Sequence, residues 1–352
     1  MLLKKLNIAA TLVDHRRRKR EEERERKRAF LENGGLVLEK LVASCNGRPI
    51  PIRTFSYQQL ILATNNFDHR FILYESCAER IYKMYKGSFE GRILSIKVYD
   101  ERDSFAKDLA LMDIGISAKA SAHKNILKLV GCCLETSIPS LVFEYAQNGV
   151  LADQIYISKR QGTPMLWQSR LKIARQIAHA IAYLHTGFSR PIIHRDIRQK
   201  NILLDQHDVP KLSDFSLSIS IPEGETHVVT DILIGTMGFM CPSYIDTLMV
   251  TEKTDVFSFG MVLLRLLIGQ HPFDYLHRSE DEYQPLKVHL SNHAMNEIVD
   301  PAILAEEGGA GLEQQLQAVR QLGLTCIEDD PEIRPTMVDV TKELRRIERS
   351  IA

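Results

Sequence analysis

Four short motifs in a fixed order constrain this chain more than anything else in it. Residues 194–205 read "HRDIRQKNILLD", where Asp196 is placed to accept or orient the proton of an attacking hydroxyl and Asn201 to hold a Mg²⁺. Asp214, in "KLSDFS", follows Asn201 by thirteen residues and suits the metal that bridges phosphates. Upstream, "LSIK" ends in Lys97, suited to the α- and β-phosphates. Phosphoryl transfer asks a protein to hold phosphates, bind metal and aim an acceptor, and each task leaves its mark here. One such match would mean little; four in order, at these separations, are specific.

A length of 352 residues admits one large two-lobed domain or two modest ones. With 44% hydrophobic and 26% charged residues the composition is that of a globular protein. Lys plus Arg and Asp plus Glu both number 45, so no global charge favours nucleic acid, and no nucleic-acid partner is expected. The six cysteines form no CxxC pair, which reads as a reducing compartment. No apolar run approaches the roughly 20 residues that span a bilayer. Position 2 is Leu, so the myristoylation signal is absent, and a cytoplasmic location is expected.

Along the chain, residues 15–28, "HRRRKREEERERKR", hold nine basic and four acidic side chains with no apolar face. They read as a solvated helix or frayed arm, or as a contact for an anionic membrane or a partner. Asn33-Gly34-Gly35 is expected to break the chain, and Leu38, Leu41 and Val42 then mark a short amphipathic helix. That stripe either docks on its own domain or is offered to a partner. Residues 1–53 are therefore an arm and helix before a domain spanning 54–352. Within the domain strands dominate at first, and helices follow, including long core helices at 166–185 and 254–269.

The chain resembles the eukaryotic protein kinase fold over roughly residues 55–350. This implies an α+β, bilobal architecture, with a small β-rich N-lobe at about 54–146 and a larger helical C-lobe at about 147–352. "TFSYQQLILATNNF", "LVGCCLE", "TEKTDVFSFG" and "RPTM" look like plant receptor-like cytoplasmic kinases of the wall-associated type. "FLENGGLVLEKLVASCNG" with "PIRTFS" narrows the resemblance to the plant ZED-related group. Those kinase-like proteins are adaptors for a coiled-coil nucleotide-binding, leucine-rich-repeat immune receptor.

Departures from the kinase pattern shape the functional expectation. A working kinase closes a GxGxxG loop over the phosphates, because glycine lets the backbone approach them. Registered on "KMYKG", this chain has Cys77, Glu79 and Tyr82 at the three glycine positions. Lys97 has no long carboxylate opposite it; Asp113 and Asp108 are each a methylene shorter than Glu. The Lys two residues after the catalytic Asp is Arg198, and the Gly of DFG is Ser216. Ser243 replaces the Glu that would pair with Arg334, so that cation is expected to rearrange or be solvated.

Lys97, Asp196, Asn201 and Asp214 leave an ATP and Mg²⁺ apparatus in outline, with weak or absent binding expected. The expectation is a pseudokinase adaptor of plant immunity; the alternative is an active Ser/Thr kinase in which Asp196 and Arg198 serve catalysis. By resemblance, leucine-rich repeats of the receptor would meet Leu38, Leu41 and Val42. The activation segment with Thr226, Thr230 and Thr236 would meet a pathogen effector or an effector-modified kinase. Peripheral contact with the plasma membrane would come through partners.

Overall fold

The computed structural model describes residues 2–45, 52–76, 81–160, 164–269, 286–306 and 309–350. The backbone divides into two units, residues 1–119 with 128–145, and residues 120–127 with 146–352. The first is built on a sheet and the second on helices, the α+β plan that the sequence implies.

The first unit opens with α1 (Leu2–Cys45), one helix of 44 residues that runs straight through Asn33-Gly34-Gly35. The expected break there is not made. Two glycines cost a helix about 2 kcal/mol relative to alanine, but tertiary anchors hold these turns. Asn33 is 1% exposed, and its Nδ2 donates to the carbonyls of Leu134 at 3.1 Å and Thr136 at 2.8 Å. Val37 is buried beside it, and Lys107 Nζ donates to Glu32 Oε1 at 2.6 Å. The docked face is thus Asn33 and Val37. Leu38 is 61% exposed and Leu41 half-buried, while the side chain of Val42 lies outside the described residues.

After β1 (Arg53–Thr54) and α2 (Tyr57–Ala63), the strands β2 (Ile72–Glu75), β3 (Tyr82–Phe89), β4 (Arg92–Tyr99), β5 (Leu129–Cys133) and β6 (Ser140–Glu144) complete a six-stranded sheet. Its order is β1-β5-β6-β4-β3-β2, antiparallel except for the β1–β5 pair. Gly131 permits that pair: a Cβ there would stand 2.0 Å from the Arg53 carbonyl oxygen. Side chains alternate along each strand. Tyr85, Leu94, Ile96 and Val142 pack with Phe55 and Leu60 in the core, leaving Tyr82, Met84, Lys97 and Tyr99 as the alternate positions of β3 and β4. The helix α3 (Ala106–Ala120) brings Asp113 to this second set.

In the second unit come β7 (Gly149–Val150), α4 (Leu151–Arg160), α5 (Trp167–Thr186), β8 (Ile192–Ile193), β9 (Ile202–Leu204) and β10 (Pro210–Leu212). Next are β11 (Ile219–Ser220), β12 (Val228–Val229), α6 (Pro242–Thr247), β13 (Met249–Val250) and α7 (Glu252–Ile268). As the periodicity predicts, α5 and α7 are core helices, and Trp167 is a packing residue whose Nε1 donates to Gln315 Oε1 at 3.1 Å. Asp255, fully buried on α7, accepts the backbone N–H groups of His194 at 2.8 Å and Arg195 at 2.9 Å. A core helix therefore fixes the start of the "HRD" loop.

Candidate functional site

In the first unit the site is built by strand register. Met84 stands opposite Lys97 and Tyr82 opposite Tyr99, so Tyr82 is the diagonal neighbour of Lys97 on one sheet face. The Lys97 ammonium lies 3.9 Å from the centroid of the Tyr82 ring and 4.9 Å from that of Tyr99. It donates to Asp113 Oδ2 at 2.7 Å. Tyr99 Oη donates to the same oxygen at 3.1 Å, and Ser117 Oγ to Asp113 Oδ1 at 2.9 Å. Lys97 is 1% exposed. The expected missing partner is thus present: Asp113 reaches Lys97 without a shift, while Asp108 is exposed. Aromatic faces attract a desolvated cation by about 2 kcal/mol, which helps offset the burial of this pair.

Cys77 and Glu79 lie outside the described residues. Tyr82, the third glycine replacement, does more than remove a glycine, because its ring covers the ammonium. Tyr99, two residues after Lys97 and so on the same strand face, and Ser117, four after Asp113 on α3, were not singled out from the sequence. Period-two and period-four spacing from the two charged residues would have found them.

In the second unit Asp196 is 5% exposed and fully engaged. Its Oδ1 accepts from Thr236 Oγ1 at 2.6 Å, and its Oδ2 accepts from Asn201 Nδ2 at 2.7 Å. Arg198 Nε stands 3.1 Å from that same Oδ2. Asn201 Nδ2 also donates to the Asp196 carbonyl at 2.8 Å, which ties the two ends of the loop together. Thr236 is therefore a partner of the carboxylate, whereas Thr226 lies against His227, and Thr230 bonds the carbonyls of Ile232 and Leu248. His194 is buried and structural: its Nδ1 accepts from the Asp196 N–H at 3.3 Å, and its Nε2 faces the Ser213 carbonyl at 3.1 Å.

Arg195 and Asp214 both take left-handed backbone, each at φ +68°. Ser216 donates its hydroxyl to Asp214 Oδ1 at 2.6 Å, so the serine at the expected glycine position binds the carboxylate two residues before it. Arg195 is clasped by Tyr244, donating from Nη2 to Tyr244 Oη at 2.6 Å.

Arg334 is not solvated. It is 1% exposed and donates to three backbone carbonyls, those of Glu328 at 2.7 Å, Asp329 at 3.1 Å and Lys253 at 3.2 Å. The Phe257 ring lies 5.1 Å from the guanidinium. Carbonyl dipoles thus replace the glutamate that Ser243 cannot supply. Cys132 and Cys133 are buried on β5, and burial pushes their thiols up to about 12 and about 11. They are small core residues, and no metal-ligand cluster stands among the described residues.

Asn201 and Asp214 are oxygen donors of the kind Mg²⁺ takes. Lys97, expected to meet phosphate, has a carboxylate partner of the kind a kinase keeps but lies under an aromatic ring. The metal side of the residue set fits MgATP, and the phosphate side does not.

The protein kinase domain family matches residues 80–344. From Arabidopsis thaliana, "Serine/threonine-protein kinase ZRK1" is 39% identical over 334 residues, 92% of this chain and 93% of that protein. "Non-functional pseudokinase ZED1" is 39% identical over 337 residues, 93% of this chain and 98% of that protein. "Wall-associated receptor kinase-like 1" is 37% identical over 331 residues, 92% of this chain but 43% of that protein. By the residues that build both half-sites and by these likenesses, the chain belongs to the protein kinase family, within its ZRK and ZED1 group.

Proposed function

We propose that this chain is a pseudokinase that works by binding, as an adaptor for a coiled-coil nucleotide-binding, leucine-rich-repeat immune receptor in plant effector-triggered immunity. The observation that carries the non-catalytic part is the Tyr82 ring lying over the Lys97 ammonium, where the kinase pattern has a glycine. The carboxylate partner is one a working kinase keeps; the ring is not, and a phosphate reaching this lysine displaces a cation–π contact, which weakens the preorganisation that phosphoryl transfer requires. Relatives of similar identity carry both kinds of name, pseudokinase and kinase.

The adaptor part rests on exposed apolar surface. Val229, Ile232, Leu233, Met237, Ile245 and Met249 are all exposed, and β12 pairs with β13 so that Val229 stands opposite Met249. Apolar side chains gathered on one segment mark a partner surface. An effector, or a kinase that an effector has modified, would dock on this activation segment, and Leu38 and Leu41 of α1, with Val42, would meet the leucine-rich repeats. Both encounters belong in the cytoplasm.

A second reading, an active Ser/Thr kinase, is favoured by the engaged Asp196–Asn201–Thr236 set. Incubation with radiolabelled ATP and Mg²⁺ or Mn²⁺, beside Asp196→Asn, separates the two. The pseudokinase reading expects no transfer in either; transfer that disappears in Asp196→Asn establishes the kinase instead. Leu38→Glu with Met237→Glu tests the adaptor surfaces separately, each by co-precipitation with its own partner.

A further inference from the structure

The chain as a whole is neutral, but its activation segment is not. Residues 212–252 contain six Asp and Glu and no Lys or Arg, where about five basic residues would fall at the chain-wide frequency of 45 in 352. Asp214 belongs to the site described above and Glu252 opens α7. The other four, Glu223, Glu225, Asp231 and Asp246, are exposed, and none has an ion-pair partner among the described residues. Neighbouring cations are engaged elsewhere. Arg195 is buried against Tyr244, Lys253 donates to the Arg334 carbonyl, and Arg265 is half-buried with its guanidinium 4.1 Å from the Phe239 ring centroid.

Among these acids stand apolar side chains that the fold leaves in solvent. Directly after Asp231 come Ile232, 52% exposed, and Leu233, 40% exposed, and Met237 follows at 75%. The backbone that carries them is held in place. Tyr244 Oη accepts the Ile234 N–H at 3.1 Å, Thr236 Oγ1 donates to Asp196 Oδ1 at 2.6 Å, and the Thr230 N–H donates to the Leu248 carbonyl at 3.0 Å. Three bonds within seven residues thus tie this stretch to the catalytic loop and to α6. A partner meets a surface that is already ordered, so docking costs little further ordering.

We propose that this surface docks a partner segment in which Lys or Arg side chains flank apolar ones. The proposal rests on the adaptor reading above and adds to it the chemistry of the partner. Apolar contact with Ile232, Leu233 and Met237 supplies affinity, and opposite charge around them steers the approach and fixes its orientation. Occupants of other classes conflict with the same charges. An anionic lipid surface, a nucleic acid or an acidic peptide would each bring negative charge against four unpaired carboxylates.

The test is fluorescence anisotropy of the full chain with two labelled peptides that share one amphipathic pattern of Leu, one with Lys and the other with Glu at the polar positions. The Lys peptide is expected to bind about tenfold more tightly, and to be released at high salt because the attraction is screened. Glu223→Gln, Glu225→Gln, Asp231→Asn and Asp246→Asn combined in one chain should weaken its binding about tenfold, since exposed ion pairs are individually weak and act here together. Leu233→Ser with Met237→Ser should weaken it as much. Both variants should keep the parent thermal midpoint, because every altered side chain is exposed. Equal binding of the two peptides, or binding that either variant leaves unchanged, overturns the proposal. The adaptor reading fails separately. A Lys peptide that docks as stated while neither immune partner co-precipitates removes the adaptor role and leaves the surface. Co-precipitation that survives loss of the four carboxylates removes the charge inference and leaves the adaptor role.

Discussion

The Tyr82 ring and the Lys97 ammonium lie 3.9 Å apart on diagonal positions of β3 and β4, where a kinase has a glycine and an open phosphate partner. The substitution therefore removes a flexible backbone position and fills the space beside the lysine in one step. Tyr82→Ala should uncover Lys97. Thermal melts with Mn²⁺ and ATP should then show a ligand-dependent rise in midpoint that the parent chain lacks, because a ligand that binds only the folded state stabilises it. The variant should also lose about 3 kcal/mol without nucleotide, as for other buried aromatic truncations. A variant that folds but ignores nucleotide would show that the ring is not the obstacle.

Lys97 and Asp113 are both buried, so neither tolerates loss of the other. Asp113→Ala strands a cation under two rings, and Lys97→Met leaves a buried carboxylate, with Tyr99 and Ser117 donating to it, without its cation. Each single variant should cost about 3–5 kcal/mol in urea unfolding, and the double variant Lys97→Met with Asp113→Leu should recover much of that loss. Additive losses would mean that the two side chains are not coupled.

How far the sequence alone revealed this arrangement differs between the two half-sites. Asp196, Asn201 and Asp214 sit in short local motifs, where spacing along the chain is nearly spacing in space. Tyr82 and Lys97 are fifteen residues apart, and only the β3–β4 register brings them together. The notched glycine loop was legible; the ring that replaces it over the lysine was not. Likewise, the run through Gly34 and Gly35 contradicts local propensity because Asn33 and Val37 are anchored from outside the helix. Arg334 shows the same limit, since its three carbonyl partners are backbone groups that no side-chain pattern announces.

The glycines of α1 offer a test of that override. A Cβ added at Gly34 or Gly35 meets nothing within 4 Å, and neither residue has a positive φ. Gly34→Ala and Gly35→Ala should each stabilise the helix by about 1 kcal/mol and raise the helical signal at 222 nm on heating. A loss of stability in either variant would mean that the helix does not run through this segment in solution.

His123 makes stability depend on pH. Burial, with smaller contributions from His179 and Lys124, pushes its imidazole down to about 4. Its Nε2 lies 2.9 Å from His179 Nδ1, and its ring stacks on Tyr183 with centroids 4.9 Å apart. The folded state thus holds His123 neutral at a pH where the unfolded chain would protonate it near 6.5. The unfolded state binds more protons over that window, so stability is constant above about pH 6.5 and falls as pH drops towards about 4. Half-exposure of the ring weakens the effect, which leaves about 1 kcal/mol between pH 7 and pH 5. Urea midpoints of the parent chain should therefore fall over that interval more than those of His123→Gln, whose amide does not titrate. Parallel curves for the two would assign the acid sensitivity to another group.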